Sequence, residues 1–166
     1  MERQLKRQQR TVGAIVKIPL EDGYHTYGRI LDYGVAFYDA RTKEDLPPEE
    51  IVNKKILFRT GVYDDIITQG YWLKVSKAIP LEPELLKPQD WYSKDLLTGK
   101  IYIHKGGKQI PATKEEVKDI ECLAAWDWAS LEKRLNDHYD GKPNESNEFM
   151  LNGKISLART QNCKIN

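Results

Sequence analysis

The chain has 166 residues, 40% hydrophobic and 31% charged, the balance of one folded domain with a real core rather than a disordered chain. Its formal net charge is +1. That excludes the overall basic footprint expected of a nucleic-acid binder, and equally the large negative charge by which an inhibitor mimics a phosphate backbone.

Residues 1–11 read as a basic flexible arm, solvated, with a nucleic-acid-binding arm as the alternative; residues 12–166 read as a single α+β domain. Ile15 to Leu20 makes a half-alternating strand, with Pro19 marking an edge or an end. Glu21-Asp22-Gly23 is turn chemistry, because glycine supplies positive φ. Tyr27–Leu31 and Val35–Tyr38 follow as strands split by Asp32-Tyr33-Gly34. Such an antiparallel meander is expected to bury one face and leave the other wet. Pro47-Pro48-Glu49-Glu50 starts a helical turn, and Lys55 to Arg59 reads as a strand. Val62 to Ile67 is a loop or single helical turn, and Tyr71 to Ile79 alternates as a further strand. Pro80, Pro83 and Pro88 force an extended connection. Leu96 to Ile103 suggests a hairpin closed by Lys105-Gly106-Gly107-Lys108.

The period then changes. Thr113 with Glu116 three residues on is a capping box, predicting a short helix from Lys114 to about Ile120. Asp127 caps a longer helix with Trp128, Leu131, Leu135 and His138 on one face, stopped by Gly141 and Pro143. Asn144 to Glu148 reads as loop, and Met150 to Leu157 as a last strand or ordered tail. The fold class is therefore α+β: a curved antiparallel sheet or small β-barrel with one or two helices near the C-terminus.

Few residues nominate themselves for chemistry. His25, His104 and His138 are far apart and form no metal-binding spacing, so no metal or cofactor is expected. Tyr24-His25 flanks a turn, where the histidine either serves acid–base work or faces water. Asp64-Asp65 can bind a divalent ion or accept from a partner's arginine, or one of them caps the following turn. Gly106-Gly107 lacks a phosphate-loop frame and fits a hairpin turn. Trp72 and Trp128 fall on periodic apolar faces and belong to the core, whereas Trp91-Tyr92 is either an interface anchor or packed. Glu49-Glu50 and Glu82/Glu84 look like solvated charge. Cys122 and Cys163 read as two reduced thiols. With neither signal peptide nor membrane span visible, the expected location is cytoplasmic.

TVGAIVKIPL, GRIL, VAFYDA, ILFRTGVYDDII and YWLKVSKAIPL, in that order, and then ECLAAWDWASLEKRLNDHYDGKPN, resemble the immunity protein 26 family of bacterial polymorphic-toxin systems. The resemblance spans residues 3 to about 144. Thr60-Gly61 departs from it, standing where a more strand-like pair is expected. The resemblance implies an intracellular antitoxin that binds and neutralises a cognate toxin, with no enzymatic activity and no cofactor.

The residues themselves suggest how such a protein would work. A monomeric steric plug can present acidic and aromatic side chains, with Tyr24, His25, Asp64, Asp65, Trp91 and Tyr92 as contact candidates and Glu44 and Asp45 as further acids. A nuclease is one candidate toxin. The alternative is a small-barrel RNA-binding protein or ribonuclease, since the short strands also resemble the barrel of the toxin ribonucleases related to PemK. Arg29, Arg59, His25 and the basic arm would then contact RNA.

Overall fold

A computed structural model describes residues 3–152, with backbone only at 149, 150 and 152. The Cys163 thiol and the expected strand or tail beyond 152 lie outside the described residues. The expected meander is present as β1 (Ile15–Pro19), β2 (His25–Ile30) and β3 (Val35–Tyr38), paired antiparallel. A one-turn helix α1 (Pro48–Ile51) starts on its proline. Strand β4 (Ile56–Val62) runs past the expected end, straight through Thr60-Gly61. Glycine is required there, because a Cβ at position 61 would fall 2.3 Å from the Ala124 carbonyl oxygen.

A helical turn α2 (Asp65–Thr68) precedes β5 (Leu73–Lys74), the two-residue remnant of the strand expected over Tyr71–Ile79. Side chains replace ladder bonds beside it: Gln8 Oε1 accepts from the Lys74 N–H, and Ser76 Oγ from the Ile15 N–H. The proline-rich connection contains the turn α3 (Pro83–Leu86). Then come β6 (Trp91–Lys94), β7 (Ile101–Lys105) and β8 (Lys108–Ala112), with Gly106-Gly107 as the expected hairpin turn. Helix α4 (Lys114–Val117) carries the full Thr113/Glu116 capping box. After β9 (Glu121–Cys122) and β10 (Ala125–Trp126), Asp127 accepts from the Ser130 N–H and caps α5 (Trp128–Tyr139). The stretch expected as loop after Asn144 is instead helical, α6 (Glu145–Asn152).

The fold is α+β with two mixed sheets, ordered β10-β4-β3-β2-β1-β5 and β8-β7-β6-β9. The antiparallel expectation holds except at β10–β4 and β9–β6, which pair in parallel. Segment 121–126 thereby stitches the two sheets together.

Strand alternation sorts β1–β3 between two cores. Val16, Ile18, Ile30, Val35 and Phe37 face Trp72, Trp126 and the Leu131/Leu135 stripe of α5. Ile15, Tyr27 and Tyr38 face the opposite way, against Ile51 of α1. Every residue of β2 and β3 is buried, so the face expected to be wet is covered. A central meander strand has no wet side once chain segments cross both faces. His138 is exposed and Trp128 only partly buried, so the apolar stripe of α5 narrows to its leucines.

Arg29 sits in the second core with no exposed side-chain surface. A buried guanidinium must have its donors met. Its Nε donates to Gly13 O at 2.7 Å, Nη2 to Ile79 O and Pro80 O, and Nη1 to Tyr38 Oη and Glu82 Oε1. Glu82 is thus the counter-ion of a buried cation, not the solvated charge expected.

The basic segment also differs from a solvated arm in this structure, because polar bonds lay it along the domain. Arg3 pairs bidentately with Glu132 and lies 4.4 Å from the Trp128 ring centroid. Gln8 Nε2 donates to Ile67 O and Trp72 O. Gly70 admits this segment, since a Cβ there would fall 2.0 Å from Lys6 O.

Candidate functional site

Between β2 and β3, the turn Leu31–Gly34 lies flat on β4. Gly34 has φ +76°, and a Cβ on it would stand 2.0 Å from Thr60 O, so only glycine permits this contact. Arg10 clamps the turn from outside, its Nη2 donating to Leu31 O at 2.5 Å. The Arg10 Nε also stands 3.2 Å from Asp64 Oδ1, which ties α2 to the same turn. Tyr33 projects from the tip, 45% exposed, and meets Trp91 edge to face with centroids 5.4 Å apart. Beneath the two rings is a cleft of about 300 Å³ walled by Leu31, Leu81, Leu85 and Leu86, the last 65% exposed. Arg59 forms part of its wall but is satisfied within the chain, by Gln89 Oε1 at 2.9 Å and by the Lys87 and Leu85 carbonyls.

The contact candidates divide between the two ends of β2. Asp64 and Trp91 come to one end through Arg10, the turn and Tyr33. Asp64 does not cap: its backbone is already helical (φ −60°, ψ −29°), whereas a capping residue needs extended geometry, and its carboxylate turns to Arg10. Asp65 is exposed beside it. Trp91 is half-buried on β6, and alternation turns Tyr92 inward, fully buried, with its hydroxyl donating to Asn147 Oδ1 at 2.6 Å. Tyr92 is therefore a packing residue, not an exposed anchor.

His25 begins β2 and Tyr24 precedes it, roughly 20 Å from Leu31 at the usual rise per strand residue. Tyr24 is half-buried under Arg41. His25 does not face water: it is 5% exposed, because Thr42 pairs with its backbone and residues 42–46 close over the ring. The Leu46 N–H donates to Tyr27 Oη, which leaves the phenol hydrogen for His25 Nε2, 2.9 Å away. Burial, and secondly the nearby Lys17 ammonium, lower the His25 pKa below its ordinary value.

Sequence reasoning missed Tyr33, Arg10 and Leu86. The signal for Tyr33 was its place at the tip of a tight turn, where a bulky ring has no interior to enter. Leu86 gave none, since an exposed leucine after a proline turn reads as core.

Of the residues through which RNA contact was considered, Arg29 and His25 are buried and Arg59 is bonded to its own chain, whereas Lys6 and Arg7 of the basic segment are exposed. A serine–histidine contact exists at Ser93 Oγ and His104 Nε2, 2.7 Å apart, as a bond across β6 and β7 with Ser93 7% exposed. Among the described residues no group of three His, Cys, Asp or Glu side chains is placed to hold a metal ion, and no helix is long and apolar enough to cross a membrane.

The α+β scaffold thus carries a buried arginine clamp on one face of β2 and a cleft with leucine walls at its turn end. The family model for immunity protein 26 matches residues 11–102, and the chain belongs to that family. It is therefore an immunity protein. No curated protein and no solved structure matches it.

Proposed function

We propose that this immunity protein neutralises a cognate toxin by stoichiometric binding, covering the toxin's working surface without chemistry of its own. The observation that carries the reading is the family match, which contains every residue lining the cleft from Leu31 to Trp91. The Tyr33–Trp91 pair gives two aromatic anchors with few torsions to freeze, set beside an apolar recess. Asp32, Asp64 and Asp65 rim that end with exposed carboxylates, which favours a toxin surface bearing lysine or arginine around an apolar side chain. Such a surface suits a nuclease, whose substrate is a polyanion. Protection would take place in the cytoplasm, by a monomer that buries about 800 Å² on each side.

The experiment is to mix the purified chain with the toxin encoded beside it and measure complex mass and residual toxin activity. A one-to-one complex, with inhibition saturating at equivalence, is expected. Absence of a complex, or protection at strongly substoichiometric amounts, overturns the proposal.

A further inference from the structure

The other end of β2 holds an arrangement that the cleft does not involve. The Arg41 guanidinium lies 3.7 Å from the centroid of the Tyr24 ring, with the Tyr139 ring 5.6 Å away, and the Lys43 ammonium lies 4.7 Å from the same Tyr24 centroid. Their loop is fixed on both sides. His25 and Thr42 exchange two backbone hydrogen bonds of 2.9 Å, Leu46 N–H is held by Tyr27 Oη, and Lys17 pairs with Asp45 at 2.6 Å. Arg41 is thus held by its backbone and by an aromatic face, as cation–π contacts hold a guanidinium in place.

What it lacks is a counter-charge. Arg3, Arg10, Arg29, Arg59 and Arg134 each direct N–H groups to carboxylates or carbonyls of the chain, whereas Arg7, like Arg41, is exposed and stands in no ion pair among the described residues. Among the described residues, Arg41 and Lys43 form no ion pair. Of the neighbouring acids, Asp39 accepts from the Tyr139 hydroxyl at 3.0 Å, Asp45 from Lys17, and Glu50 lies 3.7 Å from Lys54, while Glu44 and Glu49 are exposed and pair with neither cation. Two cations brought to one ring repel each other, and an anion between them would relieve that. A stacked guanidinium keeps its edge free for a two-pronged bond to a planar or tetrahedral anion.

We infer that Tyr24, Arg41 and Lys43 form a binding site for a single carboxylate side chain of a protein partner. Phosphate would fit the same fork, but a polynucleotide would not fit the surroundings. Glu44, Asp45, Glu49 and Glu50 follow in the adjoining loop and in α1, all exposed, and would meet its flanking phosphates. If the partner is the toxin, this corner is a second point of attachment, and to that extent the inference rests on the reading above. It is tested without the toxin, so its failure leaves toxin binding standing.

The experiment is a low-salt NMR titration of the full chain with a short capped peptide carrying one glutamate among neutral residues, with poly-uridylate as a parallel arm. Saturable shifts are expected at the backbone amides of Tyr24 and residues 41–43 and at the Arg41 side-chain N–H. Arg41→Ala should abolish them. Arg41→Lys, which keeps the charge and loses the fork, should weaken binding about tenfold. Lys43→Gln supplies the same comparison should the alanine variant fail to fold. Shifts that are absent, or that persist in Arg41→Ala and Lys43→Gln, overturn the inference, as does tighter binding of poly-uridylate at these residues.

Discussion

The Arg29 Nε donates to the carbonyl oxygen of Gly13 at 2.7 Å, and neither residue can be exchanged there without a clash or an orphaned group. Gly13 has φ +89°, and a Cβ on it would fall 2.5 Å from Ile79 O. Arg29 in turn reaches Ile79, Pro80, Tyr38 and Glu82. One side chain therefore fastens the start of β1, the end of β3 and the proline-rich connection. The glycine of TVGAIVKIPL, the arginine of GRIL and the tyrosine of VAFYDA are three parts of this one clamp.

Replacing Arg29 with alanine should cost about 3–5 kcal/mol in urea unfolding, since it strands several buried acceptors and the Glu82 charge. Arg29→Lys should recover only part of this, because an ammonium cannot reach acceptors spread along a guanidinium fork. Near-native stability of the alanine variant would show that the clamp is incidental.

His25 makes stability depend on pH. Its folded pKa lies below the ordinary 6.5 because burial, and then Lys17, disfavour the charged ring, while Asp45 and the Glu44 backbone pull the other way. Between the folded value and 6.5 the unfolded chain holds more protons, so acidification favours unfolding. The neutral ring's contribution is whole above 6.5 and is lost as pH falls from there towards the folded value. Urea midpoints taken from about pH 7.5 down to about pH 5 should fall more steeply for the native chain than for His25→Gln. Parallel curves would contradict the buried, neutral assignment.

Gln8 joins the N-terminal segment to the domain through three main-chain partners: Ile67 O, Trp72 O and the Lys74 N–H. Gln8→Ala leaves all three without it and should destabilise by about 1–3 kcal/mol. Hydrogen exchange at the Lys74 amide should quicken in the same variant. An unchanged exchange rate would mean that the segment contributes nothing to the edge of the sheet.

Local signals carried far in this sequence. The Thr113 and Asp127 caps, the Gly106-Gly107 hairpin and the β1–β3 meander all follow from residues within a few positions of one another. What escaped was settled by distant partners. Tyr71–Ile79 alternates like a strand, yet only Leu73–Lys74 pairs, because Gln8 and Ser76 supply the neighbouring bonds from elsewhere. His25 and Tyr92 looked available because a turn histidine and a post-proline aromatic usually are. Their burial depends on residues 42–46 and on α6, which no local pattern announces. At the candidate site Asp64 and Trp91 were legible as types, but Arg10 and Tyr33, which bring them to one end, were not.

The most direct measurement is the affinity of the cognate toxin for the double variant Tyr33→Ala/Trp91→Ala, taken beside its unfolding midpoint. Both rings are partly exposed at the turn end and contact each other. Their loss should weaken binding about thirtyfold or more while the chain stays folded. Native affinity in the folded double variant would contradict the assignment of this end as the toxin-binding face.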